Sequence, residues 1–71
     1  MEVTTQAVFE YLDGLRESGV TNMFGARPYV VRAFKLDEKM AGKYLSAWMG
    51  TFDADKTALA RALEAKEKGL I

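Results

Sequence analysis

The chain contains no histidine and no cysteine, a single proline, a single tryptophan, and no net charge. Each absence excludes something. Without histidine the commonest general base is missing. Without cysteine there is no thiol nucleophile, no disulfide and no thiolate metal site. No apolar run approaches the roughly 18 to 20 residues that span a bilayer. The opening Met1-Glu2-Val3-Thr4-Thr5-Gln6 has neither the basic segment nor the apolar core of a secretory leader. These features predict a soluble, cytoplasmic chain with no membrane partner, no cofactor and no metal.

The remaining chemistry is thin. Ser18 and Ser46 have no base at a recognisable spacing. Asp53-Ala54-Asp55 places two carboxylates two residues apart but lacks the glycine and distal glutamate of a calcium loop, so it reads as helix capping. Phe24-Gly25-Ala26 carries one glycine, far short of a phosphate-cradling loop. No catalytic residue is expected, and function narrows to binding.

What is present is helical. The length of 71 residues, 49% of them hydrophobic and 28% charged, predicts a single domain over residues 1–71. The fold class read from the pattern is all-α, a three- to four-helix bundle. A first helix spans Thr5 to Ser18, with Val8, Tyr11, Leu12 and Leu15 on one stripe and Glu10, Asp13 and Glu17 on the other side. Gly19 suits the left-handed position after it, and Gly14 reads as a point of close helix approach. Thr21 or Asn22 caps a short turn that inserts Met23 and Phe24 into the core. A second helix covers Ala26 to Phe34 with Pro28 in its first turn, burying Val30 or Val31 with Phe34.

The third helix is the clearest. Asp37 is its N-cap, Gly50 its end, and Ala41, Leu45, Trp48 and Phe52 its stripe, widened by Met40, Tyr44 and Met49. A final, alanine-rich helix runs from about 53 to 68, with Leu59 and Leu63 as a thin apolar seam and Gly69-Leu70 as its cap. It packs on the core, lies peripheral to it and frays, or mediates dimerisation.

The segment from Arg27 to Gly50 has the sequence layout of a helix-turn-helix corner. Val31 packs from the leading helix, Phe34-Lys35 makes the turn, Leu36 is the buried turn residue and Asp37 starts the next helix. Lys35 stands where such units usually have glycine. Charge is uneven along the chain. Residues 1–17 hold Glu2, Glu10, Asp13 and Glu17 against Arg16 alone, while residues 27–43 hold Arg27, Arg32, Lys35, Lys39 and Lys43 against Asp37 and Glu38. Lys39, Gly42, Lys43 and Ser46 recur at spacings of three and four, on one solvent face of the third helix. The two lysines suit phosphates or guanine edges, Ser46 a base or phosphate, and Gly42 a close backbone approach. Arg27, Arg32 and Lys35 are placed as flanking phosphate contacts.

The run Glu17-Ser18-Gly19-Val20-Thr21-Asn22-Met23-Phe24-Gly25-Ala26, followed by Phe34, Leu36, Ala41, Leu45, Trp48 and Met49, resembles a set of short phage and prophage proteins of uncharacterised role. The resemblance spans about Phe9 to Phe52. It implies a viral setting in bacterial cytoplasm and brings no catalytic residues.

Two functions fit this pattern. One is a DNA-binding regulator or accessory factor that grips double-stranded DNA through Lys39, Gly42, Lys43, Ser46, Arg27, Arg32 and Lys35. The other is a protein–protein interaction module that docks on a host or phage protein through the Tyr44, Trp48, Met49 and Phe52 flank or the Met23-Phe24 loop. A homodimer fits the small size and the reading of paired half-sites.

Overall fold

The computed structural model describes residues 3–71. The parts of the leader reading and of the acidic first segment that rest on Met1 and Glu2 lie outside them. The described residues form four α-helices and no strand: α1 (Thr5–Ser18), α2 (Arg27–Phe34), α3 (Glu38–Thr51) and α4 (Ala58–Glu67). A 3-10 turn at Met23–Gly25 stands between α1 and α2. This is the expected all-α bundle.

Local chemistry sets the boundaries. Thr4 caps α1 by accepting the Ala7 N–H at 3.1 Å, and Gly19 leaves it at φ 71°. Asp37 caps α3 through the Met40 N–H at 2.7 Å. Thr57 caps α4 through the Ala60 N–H at 3.1 Å. The last helix therefore starts later than Asp53 or Asp55. Asp53 instead closes a turn of its own, accepting the Asp55 N–H on Oδ1 at 2.9 Å and the Lys56 N–H on its carbonyl at 3.1 Å. At the far end of α4 the Leu70 N–H reaches the Ala65 carbonyl at 2.8 Å and Gly69 takes φ 72°, the hydrogen-bond pattern of a Schellman cap. Gly50 does not end α3, which runs one residue further to Thr51. A Cβ at position 50 would meet Leu70 Cδ1 at 3.7 Å, an ordinary van der Waals contact.

The turn between α2 and α3 is three residues, Lys35 to Asp37, and Lys35 holds φ 55° and ψ 41°. A non-glycine residue in this left-handed region costs about 1 to 2 kcal/mol. The corner tolerates it because Leu36 packs half-buried on the core immediately after it and Asp37 starts the next helix.

The core is built where α1, α3 and α4 meet and where α2 lies on α3. Val8, Phe9, Leu12, Val30, Ala41 and Ala65 are wholly buried, with Leu45, Ala47, Trp48 and Ala62 nearly so. Each fully buried large aliphatic or aromatic side chain contributes roughly 1.5 to 3 kcal/mol of burial. On α2 the buried valine is Val30, and Val31 is half-buried. Phe34 packs edge-on against Tyr11, with ring centroids 5.5 Å apart.

Two expectations about helix packing are overturned. Leu59 and Leu63 face solvent, about half exposed, and α4 packs instead through Ala58, Ala62, Ala65 and the buried Arg61. Small side chains let its backbone come close to α1 and α3, and bulky leucines on that face would hold it off. Gly14 is no point of close approach, since nothing lies within 4 Å of where its Cβ would be.

The bundle is tied together by a polar cluster. Asp13 of α1 accepts two hydrogen bonds from the Arg61 guanidinium of α4, at 3.0 and 2.6 Å, and one from the Trp48 indole of α3 at 3.0 Å. Arg61 also donates from Nε to the Lys56 carbonyl at 3.3 Å. Phe52 lies beside it, with Arg16 and Arg61 stacked 4.6 and 5.4 Å from its ring centre. Asp13 is therefore not a solvated polar-face residue. Burial works to raise its pKa, and the hydrogen bonds from Arg61 and Trp48 with the nearby charges of Arg61 and Arg16 outweigh that, holding it below the usual aspartate range.

Candidate nucleic-acid interface

Where α2 meets α3, a groove of about 510 Å³ opens to solvent, lined by Arg27, Glu38, Lys39, Gly42, Lys43, Ser46, Ala47 and Leu70. Lys39, Gly42, Lys43 and Ser46 come from successive turns of α3, as their spacing requires. Arg27 comes from the first turn of α2, next to Pro28. Leu70, from the segment after α4, edges the groove. Lys39, Lys43 and Ser46 are all exposed, and α4 itself contributes no residue to the lining.

Arg27 is more than a flanking contact. Its side chain lies across α3 at Gly42, where an added Cβ would stand 3.2 Å from Nε and 3.4 Å from Cζ. The glycine thus admits a guanidinium onto the helix surface, beside two lysines of the same face. Among the described residues, the ion pairs lie elsewhere: Arg61 with Asp13, and Lys56 and Lys68 with Glu64. Arg27, Lys39 and Lys43 are free of them, and Glu38 is the one acidic residue in the lining. Ser46 makes no side-chain hydrogen bond to the described residues, so its hydroxyl is available to a ligand. The chemistry on offer is that of a cationic groove with a guanidinium fork, two ammonium groups and a hydroxyl, suited to a phosphate-bearing ligand.

Two of the expected basic contacts are not part of this groove. Arg32 lies on a different side of α2 and stacks on Tyr29, 5.0 Å from its ring centre. Lys35 occupies the left-handed turn and does not line the groove. Both are exposed.

The expected apolar docking flank is closed. Trp48 is 3% exposed and Tyr44 8%, while Met49 and Phe52 pack half-buried on the core. Trp48 is held there by its bond to Asp13, and the whole stripe of α3 is used by α1, α2 and α4. In the 23–24 loop the two side chains part. Met23 packs on the core, whereas Phe24 is 88% exposed. It does not plug the core, because successive side chains of a 3-10 turn point about 120° apart and Met23 takes the inward direction.

No helix of the described residues is long and apolar enough to cross a membrane, and no group of three acidic residues stands together as a metal site among them. Compared with known proteins, the chain matches no family model, no curated protein and no solved structure.

Proposed function

We propose that this chain is a small, non-enzymatic DNA-binding protein whose α2–α3 corner grips the phosphate backbone. In the phage setting that the resemblance implies, it acts in the bacterial cytoplasm as a regulator or accessory factor. One observation carries this reading: Arg27, Lys39 and Lys43 converge on a single open groove without ion-pair partners among the described residues, with Ser46 beside them. The zero net charge of the chain does not oppose it, because phosphate attraction depends on the local field.

Titration against random duplex DNA at two salt concentrations tests it. Wild type should bind more tightly at low salt. Lys39→Ala with Lys43→Ala should weaken binding and reduce the slope of log affinity against log salt by about two, close to one for each phosphate no longer neutralised. Absence of binding by wild type at low salt defeats the reading.

A further inference from the structure

Phe24 is the most exposed large apolar side chain of the described residues, at 88%, and it sits on a built turn. Asn22 accepts the Gly25 N–H on Oδ1 at 3.0 Å, the Ala26 N–H reaches the Met23 carbonyl at 3.2 Å, and Thr21 Oγ1 donates to the Asn22 carbonyl at 3.1 Å. A Cβ at position 25 would press on Thr21 Oγ1 at 3.2 Å. Met23 anchors the turn to the core. The ring is thus displayed by a hydrogen-bonded turn.

Its direction matters. Met23–Gly25 is 3-10, Ala26 continues it at φ −80° and ψ −14°, and α2 starts at Arg27. Residues three apart on such a path stand one above the other. Phe24 and Arg27 therefore share one side of the chain, and Arg27 is the residue that reaches over Gly42 into the cationic groove. A solvent-exposed apolar ring thus stands one turn before Arg27, which lines a groove suited to phosphates.

We infer that Phe24 is a base-stacking residue, and that the preferred ligand is DNA with an unpaired base next to the phosphates held by Arg27, Lys39 and Lys43. This rests on the DNA-binding reading above. A duplex keeps its bases stacked on one another and offers Phe24 only an edge, whereas a single strand or a duplex–single-strand junction exposes the π-face that an aromatic side chain takes.

The test compares wild type, Phe24→Ala and Phe24→Tyr on three fluorescent DNAs of one sequence: duplex, single strand, and duplex with a single-stranded overhang. Wild type is expected to favour the two with unpaired bases. Phe24→Ala should lose about tenfold or more on those two and little on the duplex, and Phe24→Tyr should keep wild-type affinity. Thermal unfolding of Phe24→Ala should match wild type, because the ring is outside the core. If Phe24→Ala binds all three DNAs like wild type while the Lys39/Lys43 variant is weakened, the stacking role is overturned and the groove stands. If wild type binds none of them at low salt, both are overturned.

Discussion

Arg27 rests on Gly42, where the missing side chain lets its guanidinium lie close to α3, with a Cβ at 42 set to meet Nε at 3.2 Å. Glycine inside a helix costs about 1 kcal/mol relative to alanine, so this position gives up stability for the placement of a charge. Gly42→Ala should recover part of that amount, because the neighbour that must yield is a flexible, exposed side chain. For a domain of this size the gain corresponds to a melting-temperature rise of about 4 to 8 °C per kcal/mol. The same substitution should weaken binding to DNA by displacing Arg27. A more stable variant with unchanged affinity would show that the position of Arg27 does not matter to binding.

Arg61 is 3% exposed and meets Asp13 in a two-pronged ion pair, while Asp13 keeps 32% of its side chain open. Removing one partner of a fully buried pair costs about 3 to 5 kcal/mol, and the access of Asp13 to water lowers that for Arg61→Ala to about 2 to 4 kcal/mol. Asp13→Ala leaves the guanidinium in the core without its counter-charge and should cost no less. The two losses should not add. Urea unfolding of both single variants and the double variant gives the coupling, and strict additivity would mean that the pair contributes nothing as a pair.

The same pair sets an acid limit. The Asp13 carboxyl is held below its ordinary value in the folded protein, so folding favours its ionised form. Its contribution is complete above the unfolded value of about 3.9 and is lost as pH falls through the lower folded value. Glu64 has the same sign, lowered by its hydrogen bonds with Lys68 and Lys56, but its partners are solvent-screened surface lysines and it adds little. Stability measured from pH 6 down to pH 2 should therefore fall below about pH 4, and the fall should be shallower in Asp13→Asn. A parallel curve for that variant would assign the acid sensitivity to other carboxylates.

Much of the scaffold is legible in the sequence, since Thr5–Ser18, Gly19, Pro28 and Asp37 carry their meaning locally, through spacing and capping. The groove is legible for a similar reason: Lys39, Gly42, Lys43 and Ser46 share a face by helical geometry alone. What spacing does not reveal are relations between distant elements. In sequence Asp13 reads as one of three carboxylates on a solvated face, and Arg61 as one charge among many; only the return of α4 beside α1 makes them a pair. The size of the domain argues for Phe24 in the core, because a small domain uses its large apolar residues, yet the 3-10 turn gives the inward position to Met23. In α4 the two leucines draw attention from the alanines, although close packing selects small residues, and the i, i+3, i+4 spacing of Ala58, Arg61, Ala62 and Ala65 is the signal available.

That inversion in α4 makes a direct prediction. Leu59 and Leu63 are 49% and 54% exposed, and Ala62 and Ala65 are 4% and 0% exposed. Leu59→Gln with Leu63→Gln should shift stability by only about 0.5 kcal/mol per site, the range of surface substitutions. Enlarging Ala65 to leucine forces extra volume into a packed contact and should cost about 1 to 3 kcal/mol, even though leucine is a good helix former. Chemical denaturation of the two variants separates these packings. The opposite ranking, with the glutamine variant the weaker, would mean that α4 is rotated so that its leucines face α1 and α3. In that case Arg61 would point away from Asp13, and the acid sensitivity would have no source in that pair.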